Sequence, residues 1–414
     1  MLLGVGSEDR HLTEPEIRAL LEAGVAQIEA AGKRVLVIIP DGTRSGPLPL
    51  CFRLLVELLG RVAARLDFLV ALGTHPPMSE AQLYRHLGIT PEQRASTYRH
   101  VGIFQHDWRR DLTTLGTIPA AELAALTGGR LSRDVPVQIN ARLLEYDRLL
   151  LCGPVFPHEA MGFSGGNKYL FPGVSGPAVI HCFHWLSALI TNRALIGRQP
   201  NPVRAVVDRA AQALRVPRWC LSLVTADPQH LHGLYFGTPE ESQAAAAALS
   251  ARVHVTRVAR PFHTVVSVMP AMYEDLWTAG KGMYKVEPVV ADGGTVIIYA
   301  PRVRCFSYTH GALLERSGYH VRDYFLARWE EYQSVPGCIL AHSTLVKGDG
   351  TYLNGVERPR VNVVLATGIP REVCARATLG YRDPATFRPE EWTGREAEGI
   401  LLVPQAGERL YRLQ

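Results

Sequence analysis

Three segments near the start of the chain are short and largely apolar, and each one ends at polar residues. They are KRVLVIIP at 33–40, LDFLVALGTH at 66–75 and YDRLLLCGPV at 146–155. Apolar character on both faces of a strand is typical of parallel sheets that helices cover on both sides. Helical periodicity occurs between these segments, as in LCFRLLVELLGRVA at 50–63. The alternation predicts an α/β fold with a largely parallel sheet flanked by helices.

A second group of strand-like segments follows, at 263–270, 295–303, 358–368 and 399–404. The segment MYEDLWTAGKGMYKVEPVVADG, between the first two of them, is predicted to form a helix. A chain of 414 residues is also too long for one typical core. We therefore predict two domains, 1–260 and 261–414, each with a largely parallel sheet. The sequence leaves open whether the final strand extends the second domain or returns to the first.

Charge and cysteine content exclude several broad classes of protein. The net charge of +5 comes from 44 basic and 39 acidic residues without a block of like charge, so we expect no nucleic-acid partner. Seven widely spaced cysteines without a CxxC pair predict reduced thiols in a cytoplasmic protein. The N-terminus turns acidic by residue 8, unlike a signal peptide, and no apolar run reaches the roughly 18 residues that cross a bilayer. We therefore expect no membrane partner.

Polar residues suited to chemistry stand where the predicted strands end. The sequence DGTR at 41–44 follows the first strand, His75 closes the second, and His158 comes shortly after the third. In open α/β sheets, ligands lie at the carboxyl ends of the strands. These residues are therefore predicted to converge on one edge of the sheet. Arg44 could form a forked pair with a carboxylate or phosphate there, although a solvated surface arginine is the common alternative.

The segment HEAMGFSGGNKYLFPGVSG at 158–176 is rich in glycine and contains one lysine. Glycines let a backbone approach a ligand closely, as in loops that bind phosphate. A P-loop needs GxxxxGK followed by Ser or Thr, but here the glycine spacing differs and Tyr169 follows Lys168. No GxGxxG motif occurs either, which disfavours a nicotinamide-dependent dehydrogenase. The alternative is a tight loop with a solvated lysine.

Two further pairs of residues have a spacing that fits a site. His181 and His184 are three residues apart on a predicted helix, so they share a face and could bind a metal. Lys281 and Lys285 are four apart on another predicted helix, where a solvated face is the alternative. Together with the strand-end residues, these features indicate an anionic ligand, two histidines for proton transfer, a reactive lysine and a metal ligand.

The motifs PDGTR, LGTH and HEAMGFSGGNKYLFPG, in this order, resemble those of the lactate racemase family. The segment KGMYKVEP after DLWTAG is similar to the family's C-terminal lysine region. The resemblance covers most of the chain and implies an N-terminal cofactor-binding domain with an active site in the cleft between the two domains. It also implies the family's nickel-pincer nucleotide, the Ni(II) complex of pyridinium-3,5-bisthiocarboxylic acid mononucleotide, which separate biosynthetic enzymes make.

The resemblance also implies roles for individual positions. Arg44 would grip the substrate carboxylate, and Thr278 and Lys281 would also bind the substrate. His75 and His158 would be the acid/base pair. Lys168 would be linked covalently to one thio-acid arm of the cofactor, and His184 would be the nickel ligand from the protein. The residues expected along the cofactor are Asp41, Gly42, Thr43, Arg44, Lys168 and His184.

These roles imply a racemase or epimerase that inverts C2 of a 2-hydroxy acid. The C2 proton of a hydroxy acid anion is very weakly acidic, so reversible hydride transfer through a 2-keto acid is the easier route. Each enantiomer needs its own base, and histidine has a suitable pKa. The alternatives are a sugar-acid 2-epimerase of the same mechanism, a nicotinamide-dependent 2-hydroxyacid dehydrogenase and a nucleotide-binding sensor. The sequence leaves the oligomeric state open.

Three positions depart from the family's pattern. Ser45 stands where the family has proline, Trp277 where it has tyrosine, and Thr278 where lactate racemases have a glutamine that touches substrate. The shorter Thr278 side chain leaves room, so we expect a substrate bulkier than lactate. The resemblance gives His181 no role.

Overall fold

The computed structural model describes residues 1–414, with 20 β-strands and 16 α-helices. The strands are β1 (Leu3–Gly6), β2 (Arg34–Pro40), β3 (Arg65–Ala71), β4 (Gly102–Gln105), β5 (Leu112–Ile118), β6 (Val135–Asn140), β7 (Arg148–Pro154), β8 (Pro157–His158), β9 (Gly162–Phe163), β10 (Arg218–Thr225), β11 (Leu231–Gly237), β12 (Val255–Val258), β13 (Phe262–Val268), β14 (Val290–Ala300), β15 (Gly350–Leu353), β16 (Val356–Pro359), β17 (Asn362–Thr367), β18 (Gly380–Tyr381), β19 (Ile400–Val403) and β20 (Leu410–Leu413).

The helices are α1 (Glu14–Ile28), α2 (Leu48–Leu59), α3 (Glu80–Leu87), α4 (Pro91–Ala95), α5 (Ala120–Thr127), α6 (Pro177–Ile190), α7 (Asn192–Leu195), α8 (Pro202–Ala211), α9 (Pro239–Val253), α10 (Leu276–Ala279), α11 (Lys281–Tyr284), α12 (Gly311–Ser317), α13 (Arg322–Ala327), α14 (Trp329–Tyr332), α15 (Gly337–Lys347) and α16 (Arg371–Arg376). None of them combines the length and the apolar character that a membrane-spanning helix requires.

The chain divides into two compact units, each assembled from separate stretches of sequence. The first unit comprises Met1–Phe156, Ser164–Ile180 and Arg204–Val253. The second unit comprises Pro157–Phe163, His181–Val203 and His254–Gln414. The predicted single boundary near residue 260 differs from this division, because two stretches from the N-terminal half of the chain pack with the C-terminal residues.

A seven-stranded sheet forms the centre of the first unit, in the order β1-β11-β10-β7-β2-β3-β4. The pairs from β10 to β4 are parallel, and β11 and β1 join one edge in antiparallel pairing. Residues 35–39 of β2 are fully buried, as expected for a strand covered on both faces. The predicted strands at 33–40, 66–75 and 146–155 correspond to β2, β3 and β7, and the α/β fold class is confirmed.

Helix α3 follows the end of β3 and is delimited by its own sequence. Ser79 and Gln82 form a capping box at its start, and Gly88, in a left-handed conformation, ends it. His86, on this helix, lies 2.8 Å from the carbonyl of Pro40 through Nε2. The helix is thus tied to the end of β2, where the first candidate residues stand.

The second unit contains a five-stranded, wholly parallel sheet in the order β18-β17-β14-β13-β19. Strand β19 pairs with β13, so the final apolar segment extends the sheet of this unit. The predicted helix over 272–293 is wrong, because the chain forms only the short helices α10 and α11 before it enters β14. Gly280, Gly282 and Pro288 interrupt the segment, and glycine and proline are the poorest helix formers.

Candidate active site

Asp41 and His75 form a carboxylate–imidazole pair at the carboxyl ends of β2 and β3. The two strands are parallel neighbours with Pro40 opposite Ala71, so both chains leave the sheet at the same level. His75 Nδ1 lies 2.5 Å from Asp41 Oδ2. The other carboxylate oxygen, Oδ1, accepts hydrogen bonds from the backbone N–H of Thr43 at 3.0 Å and from its hydroxyl at 2.6 Å. Both oxygens of the buried carboxylate are therefore engaged.

The electrostatics of this pair suit proton transfer at the imidazole. Burial would raise the pKa of Asp41, but it is outweighed by several favourable interactions together, led by the charge and hydrogen bond of His75, and the pKa lies below its usual value. The hydrogen bonds from Thr43 and the charge of Arg44 act in the same direction. The carboxylate is therefore charged at neutral pH and keeps a proton on Nδ1 of His75, which leaves Nε2 to accept one. Arg44 is half-buried on the same loop, with Nη1 3.4 Å from the carbonyl of Thr43.

Lys168 is half-buried in a single 3₁₀ turn that begins at Gly166, within the glycine-rich segment. Gly165 (φ 80°, ψ −179°) and Gly166 (φ 61°) adopt backbone conformations that favour glycine. A Cβ at Gly165 would lie 2.5 Å from Val155, and one at Gly166 would lie 2.9 Å from the Gln243 side chain of α9. The two glycines thus let the loop pack closely against its own unit while it presents Lys168.

Hydrogen bonds tie the Lys168 loop to the ends of the central strands. The N–H of Gly73, in the turn that follows β3, donates to the carbonyl of Gly173 at 2.9 Å. The N–H of Gly173 donates to the carbonyl of Lys168 at 3.1 Å. The Tyr169 hydroxyl lies 3.3 Å from the carbonyl of Pro154, the last residue of β7. The loop is therefore held at the same edge of the sheet as the carboxylate–imidazole pair.

His158 is buried in the second unit, in the short antiparallel hairpin of β8 and β9. Its Nδ1 accepts the backbone N–H of Ala160 at 3.1 Å, and an oxygen of Glu159 lies 3.5 Å from the same nitrogen. Since Nδ1 acts as an acceptor, the neutral ring carries its proton on Nε2. The neutral rings of the two candidate acid/base histidines thus differ, with Nε2 an acceptor in His75 and a donor in His158.

Lys285, whose role the sequence leaves open, supports the hairpin that carries His158. It is 3% exposed, so the alternative of a solvated face is wrong for this residue. Its ammonium donates to the carbonyl of Pro157, immediately before His158, and to the carbonyl of Glu408 at 3.3 Å. Lys285 therefore anchors the first strand of the hairpin to a later segment of the second unit.

Lys281 and Thr278 lie close together in the chain on the short helices α11 and α10. Lys281 is buried, and its Nζ stands 4.2 Å from the ring centre of Tyr273, a cation–π distance. The Thr278 hydroxyl donates to Asp275 Oδ1 at 2.8 Å, and its N–H donates to the same oxygen at 3.1 Å. The structure thus places the hydroxyl of Thr278 on the residue that caps α10.

His181 and His184 both lie on α6, three residues apart as predicted, and both are half-buried. The ring of His184 packs at 4.0 Å, centre to centre, against that of Phe183. No group of three or more His, Cys, Asp or Glu side chains in the chain is arranged to hold a metal ion. None of the seven cysteines forms a disulfide bond.

The structure brings Asp41, Thr43, Arg44 and His75 together in the first unit, with the exposed Gly42 between them. Two residues of the second unit were missed from the sequence. Asp275 stands three residues before Thr278, a spacing typical of a helix cap, so that signal could have found it. Nothing in the sequence indicates that the Tyr273 ring forms a cation–π contact with Lys281.

Comparison with known proteins shows what the chain is similar to. Residues 10–197 match the family model of the lactate racemase N-terminal domain. Two curated relatives, the lactate racemases of Thermoanaerobacterium thermosaccharolyticum and Lactiplantibacillus plantarum, are each 25% identical to the chain, over 284 and 291 residues. Each alignment covers 66% of this chain and spans 61% of the length of the relative.

Two solved structures share the architecture. A crystal structure of a protein from Thermotoga maritima superposes with a TM-score of 0.91 at 30% identity and covers 99% of this chain and 100% of that one. The lactate racemase apoprotein from Thermoanaerobacterium thermosaccharolyticum superposes with a TM-score of 0.69 at 18% identity, over 94% of this chain and 92% of that one, which shows a shared fold. Residues 10–197 therefore match the N-terminal domain of lactate racemases, and the chain is similar to lactate racemases in sequence and in fold.

Proposed function

We propose that this protein is an isomerase that racemises or epimerises C2 of a 2-hydroxy acid. The match of residues 10–197 to the lactate racemase N-terminal domain and the names of the two curated relatives support this class of reaction. The observation that carries the proposal is the contact between Asp41 and His75. A buried carboxylate that fixes Nδ1 of an imidazole makes Nε2 a general base at neutral pH, which removal of the substrate's hydroxyl proton requires.

The residues present fit a nickel-pincer nucleotide. Such a group contains its own sulfur ligands to nickel. The protein therefore needs to supply only one imidazole as a further ligand and one amine for attachment, rather than a full ligand set. The half-buried His184 and Lys168 have this chemistry, and we assign the nickel ligand to His184 and the covalent attachment to Lys168. Asp41, Gly42, Thr43 and Arg44 would lie along the group. The chemistry that such a group would supply when bound is reversible hydride acceptance from C2.

The proton steps belong to the two histidines. In our proposal, His75 takes the hydroxyl proton of one enantiomer at Nε2, and its imidazolium is stabilised by the charge of Asp41. For the other enantiomer, the protonated ring of His158, with a Glu159 oxygen 3.5 Å from Nδ1, supplies the hydroxyl proton and is left neutral. The reverse reaction exchanges these roles. Two bases are needed because the hydroxyl of each enantiomer is presented from a different side.

The charged side chains orient the substrate. A guanidinium can bind a carboxylate through two parallel hydrogen bonds, and we assign this role to Arg44. Lys281 would add a second positive charge, held in place by the ring of Tyr273. Thr278 would form part of the wall beside the substrate rather than reach it through its hydroxyl, since Asp275 holds that group.

We also propose that the protein works in the cytoplasm, where biosynthetic enzymes supply its cofactor. The seven cysteines, none of which forms a disulfide bond, support this location, since thiols persist in a reducing compartment.

The test uses the full-length protein loaded with the nickel-pincer nucleotide. Single enantiomers of a panel of 2-hydroxy acids, deuterated at C2, are incubated with it and analysed by chiral chromatography and mass spectrometry. We expect inversion of at least one acid, loss of activity in His75→Gln and in His158→Gln, and loss of the covalent adduct in Lys168→Ala. A loaded protein that inverts no hydroxy acid would refute the proposal.

A further inference from the structure

A cavity of about 250 Å³ lies at the carboxyl ends of β13 and β14 in the second unit. Residues from the segments 269–273 and 299–303 line most of it, and Gln405, shortly after β19, contributes the rest. From β13 the chain continues to β14, its neighbour on one side, and then outwards through β17 and β18. It returns afterwards to β19, the neighbour of β13 on the other side. Open parallel sheets bind ligands at such a change of direction, outside the carboxyl ends of the strands.

Two side chains connect this cavity with Lys281. Tyr273 lines the cavity, and its ring centre lies 4.2 Å from the Lys281 ammonium. Met269 also lines it, and a Cβ added to Gly282 would lie 2.7 Å from the Met269 sulfur, so this side chain packs directly against α11. A carboxylate held by Lys281 would therefore lie close to the cavity, next to Tyr273.

The lining of the cavity carries positive charge and no negative charge. Arg302 is exposed and is the only charged residue that lines the cavity. Tyr273, Tyr299 and Gln405 add polar atoms, and no carboxylate contributes to the lining. An arginine with polar neighbours and no acidic one favours an anionic group, above all a carboxylate, which the planar guanidinium can bind through two hydrogen bonds.

We propose that the cavity receives the end of the substrate remote from C2 and that Arg302 binds a second carboxylate there. This inference rests on the proposed function and narrows its substrate class to short 2-hydroxy dicarboxylic acids. The volume suffices for a few carbon atoms and a carboxylate, since a water molecule takes about 30 Å³ of the liquid. Thr278 does not line the cavity, and its short side chain is turned onto Asp275.

The experiment compares Arg302→Gln with Arg304→Gln in the cofactor-loaded, full-length protein. Arg304 is equally exposed but does not line the cavity, so its variant controls for the loss of one positive charge. The kcat/KM values are measured for a 2-hydroxy dicarboxylic acid and for the 2-hydroxy monocarboxylic acid of the same carbon number. Isothermal titration calorimetry with glutarate, which cannot react, measures binding by the same preparations.

We expect Arg302→Gln to lower kcat/KM for the dicarboxylic acid by about 10- to 100-fold, which corresponds to one charge-assisted hydrogen bond, and Arg304→Gln to leave it unchanged. The monocarboxylic acid should change less than about threefold in both variants, and Arg302→Lys should restore part of the loss. Equal effects of Arg302→Gln on the two acids, or none on either, would overturn the inference and leave the proposed function standing. If the loaded protein inverts no acid, calorimetry decides alone: weaker glutarate binding only in Arg302→Gln supports the cavity, and unchanged binding overturns it.

Discussion

Asp41 Oδ2 and His75 Nδ1 lie 2.5 Å apart although 34 residues separate them in the chain. They meet because β2 and β3 are parallel neighbours in register, so both chains leave the sheet at the same edge. Gly73, with φ 56°, turns the chain after β3 and allows His75 to face back towards β2. The carboxylate is buried and charged, and it therefore sets which ring nitrogen carries the proton.

Asp41→Asn tests whether this contact supports catalysis. An amide can still accept the hydrogen bonds from Thr43, but it cannot stabilise an imidazolium. We expect kcat/KM for inversion of the preferred hydroxy acid to fall by about 100-fold or more, with an altered pH profile and little change in the unfolding midpoint. The double variant Asp41→Asn/His75→Gln should be no slower than His75→Gln alone, because the two residues act as a unit. A purely additive loss would contradict this coupling.

Three strands of the first unit, β2, β3 and β7, could be predicted from sequence because burial on both faces leaves a continuous apolar run. The prediction of a helix after β13 is wrong, and the reason also lies in the local sequence. Apolar residues recur through the segment, but Gly280 and Gly282 weaken a helix, and β14 begins at Val290 and continues through Asp292 and Gly293, which are uncommon in strands. Asp292 and Gly293 fall at an irregularity in the pairing with β13, and regular pairing resumes at Thr295.

The site could be predicted only where its residues follow strands. Asp41 and His75 do so, and parallel topology alone implies that they are close. The anchor of the second candidate histidine could not be foreseen, because Lys285 and Pro157 are 128 residues apart and their contact depends on packing. The division of the chain into two units that exchange segments has no marker in composition or linker sequence either.

Lys285→Met tests the support of the hairpin that carries His158. The variant removes the donor to the carbonyls of Pro157 and Glu408, and a buried carbonyl without a partner costs about 1–3 kcal/mol. We expect a lower free energy of unfolding in urea, faster hydrogen exchange in residues 157–163 and at least a tenfold loss of inversion activity. Lys347→Met is the matched control, because Lys347 also donates to a carbonyl, that of Thr378, away from the hairpin. Equal activity of the two variants would contradict the positioning role.

Gly165→Ala tests why the Lys168 loop is rich in glycine. Alanine would have to adopt a backbone φ of 80°, and its Cβ would lie 2.5 Å from the Val155 side chain. We therefore expect a loss of about 2–4 kcal/mol in the free energy of unfolding. Gly32→Ala is the control, because Gly32 has a similar φ of 67° but nothing within 4 Å, and its cost should be about 1 kcal/mol. Urea denaturation measures both, and intact-mass analysis should show less cofactor attached in Gly165→Ala. Equal costs would mean that backbone conformation alone, and not packing against Val155, explains the glycine.

His342 is expected to make the protein sensitive to acid. Its ring is buried and stacks on Trp277, with ring centres 4.5 Å apart and planes 11° from parallel. Burial lowers the pKa of His342 to about 3, only partly offset by the carbonyl of Leu276. Since the ring in the unfolded chain has a pKa near 6.5, the unfolded state binds the additional proton between about pH 6.5 and 3. The buried neutral ring therefore makes its full contribution to the free energy of unfolding above pH 6.5. Below that pH the contribution falls by about 1.4 kcal/mol for each pH unit.

His342→Phe separates this contribution from other acid effects. Phenylalanine keeps the stacking on Trp277 but cannot take up a proton, so the variant should lose less stability than the wild type as the pH falls. Between pH 6.5 and 5 the difference in the free energy of unfolding should change by about 2 kcal/mol in favour of the variant. His106, whose pKa burial lowers to about 4, is present in both proteins, and its effect cancels in the comparison. Urea denaturation at half-unit pH steps measures the difference, and parallel curves for the two proteins would show that His342 is not the acid-sensitive group.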